Sequence, residues 1–245
     1  MKYLNKKASV MTATLLAASL LSACGSSSDD DDEMVVDDIV IVEDVMMSYE
    51  VTVTNLSSNQ PMSPLAIQLH NANFTAWQVG DAASVALEEL AEGGDNSSVL
   101  ALDASNVYSA VSGAGAIGPG MSDTITIESG EYSDINLTLT SMLVNTNDAF
   151  TGKTKLDLSE LAVGDSQKLY LPVYDAGTEG NSELDGTIPG PADGGEGFNM
   201  ARDDVDYVAR HPGVVGVDHG YSESVLNSTH GFDSPVALLS ITRTE

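Results

Sequence analysis

Polar and apolar residues alternate along much of the chain with the two-residue period of strands that bury one face. Tyr49-Glu50-Val51-Thr52-Val53-Thr54-Asn55 is the first clean run, and Ser57-Ser58-Asn59 supplies turn chemistry after it. Leu65 to His70 predicts a second strand behind Pro64, and Thr124–Ile127 and Ile135–Thr140 two more, separated by a Ser-Gly turn. Lys168 to Val173 is the central strand and Val236 to Arg243 the last. Helical spacing is confined to Ala83, Leu87 and Leu90, between Asp81 and the Gly93-Gly94 stop, with Ser97–Ala104 a second candidate and Leu156–Val163 a helical turn. Gly180 to Gly197, rich in glycine and holding Pro189 and Pro191, reads as a long irregular loop, and Val205–Val217 fits neither period. Short alternating strands with one or two short helices predict an all-β fold, an antiparallel β-sandwich. There is no internal repeat.

The central strand runs straight into Asp175-Ala176-Gly177-Thr178-Glu179-Gly180. Gly177 and Gly180 allow a sharp backbone path that turns two carboxylates toward one place. Carboxylates this close repel unless a cation sits between them, and all-oxygen ligands suit a hard ion such as Ca²⁺. The bland alternative is an acidic surface turn in a very acidic protein. Asp148 follows one expected strand and Asp175 another; if those strands run the same way, both loops leave the sandwich at one edge.

Tyr174 to Gly180, Asn147-Asp148-Ala149-Phe150-Thr151-Gly152, Leu69-His70-Asn71 and the closing Phe232-Asp233-Ser234-Pro235-Val236 together resemble the spondin domain. The similarity runs from about Tyr49 to the C-terminus. That domain is found in F-spondin and in small bacterial exported proteins. The resemblance implies a C2-like sandwich and a Ca²⁺ site formed by Asp148, Asp175 and Glu179. Glu179 stands where the family more often has aspartate, so its longer arm alters the site. Animal spondin domains carry cysteine pairs, whereas this chain has one cysteine, Cys24. Their partner-binding surfaces therefore do not carry over.

Cys24 belongs to a different piece of chemistry. Lys2, Lys6 and Lys7 precede a short apolar run, Val10–Leu21, which ends at Leu21-Ser22-Ala23-Cys24-Gly25. This is the form of a bacterial lipoprotein signal with Cys24 as the lipidated residue, and the apolar run is too short for a permanent span. Residues 1–23 are expected as the signal peptide, 24–48 as an acidic disordered tether that includes Asp29–Glu33, and 49–245 as the sandwich. Whether Met34–Met47 adds a strand stays open. Gly25 after the cysteine suits the outer membrane, and the expected location is the exported side of a bacterial cell envelope.

The formal net charge is −28, and no Lys or Arg occurs between Lys7 and Lys153. Nucleic acid and anionic lipid surfaces, which need clustered basic residues, are excluded as partners. An extracellular protein or glycan ligand remains open, as does the oligomeric state. Gly113-Ala114-Gly115-Ala116-Ile117-Gly118 matches a dinucleotide-binding pattern, but Pro119-Gly120 forbids the helix that pattern must open. His70, His211, His219 and His230 show no zinc spacing, and there is no nucleophile elbow. His70 reads as a hydrogen-bonded core residue, and His219 beside Asp218 as a pair whose side chains point apart. Arg202 and Arg210 with Asp203, Asp204 and Asp206 read as a salt-bridged surface segment. The first expectation is thus a non-enzymatic lipoprotein that presents one calcium-stabilised spondin-like module. The rival is an exported hydrolase acting on polysaccharide or ester substrates.

Overall fold

The computed structural model describes residues 46–245. The expected signal peptide, Cys24 and residues 24–45 of the expected tether lie outside the described residues, whereas residues 46–48 of that tether are strand. The described chain forms β1 (Met46–Asn55), β2 (Ala66–His70), α1 (Val85–Gly93), α2 (Ser97–Leu100), β3 (Val107–Ser112) and β4 (Ser122–Gly130). There follow β5 (Asn136–Met142), β6 (Ala149–Asp157), β7 (Ser166–Leu171), β8 (Val173–Asp175), β9 (Ala209–Arg210) and β10 (Ala237–Arg243). They make a four-stranded sheet, β4-β1-β10-β7, and a six-stranded sheet, β3-β2-β5-β6-β8-β9. Every strand pair is antiparallel. The protein is an all-β sandwich with two short helices.

The alternation in β1 does what its period demands. Tyr49, Val51 and Val53 are buried against Ile67 and Leu69 of β2, Leu137 and Leu139 of β5, and Leu239 and Ile241 of β10, which form the layer between the sheets. Strands β2 and β5 are buried along their whole length. Their other face lies under α1, α2 and the segment before them, where Phe74, Trp77, Leu87, Leu90, Val99 and Phe150 pack. On that face Trp77 Nε1 donates to Thr140 Oγ1 at 3.0 Å, His70 Nε2 lies 2.8 Å from Thr138 Oγ1, and Gln68 Nε2 donates to the Val99 carbonyl while its Oε1 has no partner.

Helix α1 begins where Ser84 Oγ accepts the Leu87 N–H, a cap worth about 1 kcal/mol. It ends at Gly94, which takes φ +71° and returns its N–H to the Leu90 carbonyl. Among the described residues there is no helix long and apolar enough to cross a membrane.

Three expectations change. The Lys168–Val173 strand is two strands: β7 pairs with β10 in one sheet and β8 with β6 in the other. The crossing falls at Pro172, which has no N–H to give to a ladder. The turn expected at Leu156–Val163 starts later, because Leu156 and Asp157 still pair with Leu137 and Asn136. Asp157 Oδ1 then accepts the Ser159 N–H and ends the strand in an Asx-turn. Within Val205–Val217 only Ala209–Arg210 is strand, the short edge β9.

Candidate metal centre

Strand β6 lies between β5 and β8 and is antiparallel to both, so β5 and β8 run the same way. The turn after β5 and the turn after β8 therefore leave the sheet at one end. The cross-strand pair Ala149–Asp175 sets Asp148, the residue before β6, beside Asp175, the last residue of β8. Thr146 holds the first turn, its Oγ1 donating to the Leu143 carbonyl and accepting the Ala149 N–H.

Asp148 and Asp175 are both buried, at 0% and 4% exposure. Asp148 Oδ2 accepts from the backbone N–H groups of Thr178 (2.8 Å) and Glu179 (3.2 Å) and from Thr178 Oγ1 (3.3 Å). Its Oδ1 is buried with no hydrogen-bond partner. Burial, and after it the charge of Asp175, pushes the Asp148 carboxyl up to about 8, against the pull of the Thr178 and Glu179 N–H groups. Asp175 Oδ1 accepts the Gly177 N–H at 2.7 Å and Oδ2 accepts from Asn181 Nδ2 at 2.7 Å. Asn181 Oδ1 is in turn 2.8 Å from His211 Nε2.

The Glu179 backbone thus belongs to the Asp148 carboxylate, but its side chain lies among other partners. Glu179 Oε1 accepts from Asn147 Nδ2 at 3.0 Å. Burial pushes its carboxyl up to about 7, with Glu92, Asp203 and Glu196 adding like charge. Among the described residues, no three His, Cys, Asp or Glu side chains already converge as a metal-holding group.

A strap at residues 199–210 lies over this turn. Asp203 N–H donates to the Thr178 carbonyl (3.1 Å), Asp206 N–H to the Gly177 carbonyl (2.7 Å), and Gly180 N–H to Asp203 Oδ1 (2.7 Å). Gly177 has φ +71°, and a Cβ there would stand 2.3 Å from the Tyr207 carbonyl oxygen, so only glycine fits. Arg202 bridges Glu88 on α1 at 2.6 Å and also pairs with Asp206. Arg210 sits 5.3 Å above the Tyr174 ring. The salt bridges of the segment run through Arg202, to Asp206 as the sequence suggests and also to Glu88. Burial and the Asp175 charge raise the Asp204 carboxyl. Sequence reasoning did not single out Asp204, Thr178 or Asn181; the acid run Asp203-Asp204 was its one visible signal.

The remaining candidates sit in structural roles. His70 is fully buried and hydrogen-bonded at both nitrogens, to the Asn71 carbonyl and Thr138. Asp218 Oδ2 accepts from the Ser228 backbone and hydroxyl, which gives that acid a local structural use. Gly113 to Gly118 lead through a loop into β4, with no helix.

The chemistry open to the Asp148–Asp175 pair is cation binding. A buried carboxylate oxygen without a donor, next to a second buried carboxylate, is an uncompensated arrangement that a hard cation would complete. By this measure the residues fit Ca²⁺. The Spondin_N family model matches residues 55–186, which include Asp148, Asp175 and Glu179. No curated protein matches the chain.

Proposed function

The chain belongs to the Spondin_N family, and from that premise we propose that it is a non-enzymatic, exported binding module steadied by Ca²⁺. The observation that carries the reading is the unpartnered Asp148 Oδ1 buried beside Asp175. Asp148 and Asp175 would hold the ion, and Glu179, on the same turn, would add its carboxyl. Backbone carbonyls and water complete such shells. The ion supplies the positive charge that the pair lacks and so fixes the β5–β6 and β8 turns against each other. In the same proposal Cys24 carries the lipid that tethers the module to the bacterial envelope, on the exported side of the outer membrane. The partner is an extracellular protein or glycan.

A site with few side-chain acids is expected to have an affinity on the order of 10⁻⁴–10⁻³ M. A ligand that binds the folded state alone stabilises it by about 2.7 kcal/mol at a hundredfold excess over its dissociation constant. Calcium is therefore expected to raise the melting temperature of the detergent-extracted full chain, and Asp175→Asn to remove most of the gain. Magnesium at equal ionic strength is the control, because it screens charge but demands tighter octahedral geometry. Equal stabilisation by magnesium, or a wild-type response from Asp175→Asn, would reject the site.

A further inference from the structure

We propose that Asp204 is a ligand of the same cation, reaching it from the strap that crosses the turn beside the Asp148–Asp175 pair. The inference rests on the calcium reading above and extends it to a residue outside the matched segment, which ends at residue 186.

The geometry comes from the strap's backbone. On either side of Asp204, Asp203 N–H holds the Thr178 carbonyl and Asp206 N–H holds the Gly177 carbonyl, at 3.1 and 2.7 Å. Residue 204 is thereby pinned over the turn that starts at Asp175 and whose N–H groups hold Asp148. The fit of Gly177 beneath Tyr207 leaves this stretch little freedom to slide. Asp148 and Asp175 are the acids whose charge Asp204 feels or adds to, with His211 opposite in sign when protonated. Arg202 and Arg210, the basic residues of the strap, are engaged elsewhere, on Glu88 and Asp206 and on the Tyr174 ring.

The orphaned oxygen that carries the calcium reading bears on Asp204 as well. Asp148 Oδ1 is wholly buried and unpartnered, and the carboxylates nearest to it in effect are Asp175 and then Asp204. Three acids with one orphaned oxygen repel one another unless a proton or a cation intervenes, and the nearby arginines are held elsewhere. Asp204 is half-buried, and with its backbone pinned its side chain alone would turn toward an ion held by the pair. This also accounts for the absence, among the described residues, of three side chains already converged.

The test is calcium titration by calorimetry of the detergent-extracted full chain, for wild type, Asp204→Asn, Asp204→Glu and Glu131→Gln. Glu131 lies on the loop before β5, at the end of that strand away from Asp148, and its change removes the same charge. Asp204→Asn is expected to weaken calcium binding roughly tenfold, and Asp204→Glu by less, because affinity follows the number of charged ligands. Glu131→Gln should bind as wild type does. Asp204→Asn binding within about twofold of wild type would overturn the inference and leave the calcium reading standing. So would equal losses in Asn and Glu variants that also melt earlier in chelator, since that is a purely structural role. A wild-type chain without a calcium isotherm that Asp175→Asn abolishes would overturn the calcium reading, and the Asp204 role with it.

Discussion

His70 Nδ1 lies 2.7 Å from the Asn71 carbonyl and Nε2 2.8 Å from the Thr138 hydroxyl, in a wholly buried site. Burial is the main reason that its pKa is held below the usual value, ahead of the opposing Asn71 hydrogen bond. In the unfolded chain the ring is free to take a proton as the pH falls through about 6.5. The unfolded state then binds more protons than the folded one, so His70 lowers stability as acid is added. Between about pH 7 and about pH 5 the wild type should lose more unfolding free energy than His70→Gln. Denaturant titrations at both values check this, and parallel losses would contradict it. The comparison between variants matters, because burial also lowers the pKa of His211, to about 4, and of His230.

At the scale of elements, α1 and the strap are tied by one ion pair. Glu88 is 2% exposed, its Oε2 is 2.6 Å from Arg202 Nη2, and the same Nη2 donates to the Ala83 carbonyl. Glu92, one turn on, accepts the Asn199 N–H. Removing the arginine leaves a buried carboxylate alone, which costs more than the pair itself contributes. Arg202→Met should destabilise the fold by about 3 kcal/mol, near the lower end of the range for buried pairs because Arg202 itself is partly exposed. Adding Glu88→Gln should recover a good part of the loss. A double variant as unstable as the single one, in urea unfolding, would show that the arginine acts by its bulk and its bond to Ala83. The strap also covers the Asp175–Gly180 turn, so under the calcium proposal Arg202→Met should weaken the calcium response, although Arg202 pairs with Glu88 and Asp206.

At the scale of the molecule, net charge governs. With a net charge of −28 the surface repels itself, and counter-cations favour the compact state. If Cys24 carries the lipid, Cys24→Ala should shift the protein from the membrane fraction to the soluble one, or block its processing. Wild-type protein found soluble and unlipidated would end the lipoprotein proposal.

The sandwich was legible in the sequence where one face of a strand meets the core and the other meets solvent. In β1, for instance, Tyr49, Val51 and Val53 go in while Thr52 and Thr54 stay near the surface. The helix at Val85–Gly93 was legible for a similar reason, since its stop at Gly93-Gly94 is a local backbone requirement. Strand β3 was not, because a half-buried edge strand shows little alternation. Nor was β6, whose first residues are covered on both faces while its last are open. The split of β7 from β8 was half visible: Pro172 marks a break, but which sheet each half joins depends on partners far away in sequence. The acidic turn was likewise readable as a place where carboxylates gather. Only tertiary structure decided which carboxylates meet. The antiparallel register Ala149–Asp175 joins Asp148 to Asp175, Asn147 holds the Glu179 side chain, and the strap crosses the turn at Gly177 and Thr178. Local sequence sets periodicity and turns, whereas long-range pairing and burial set which charges share one space.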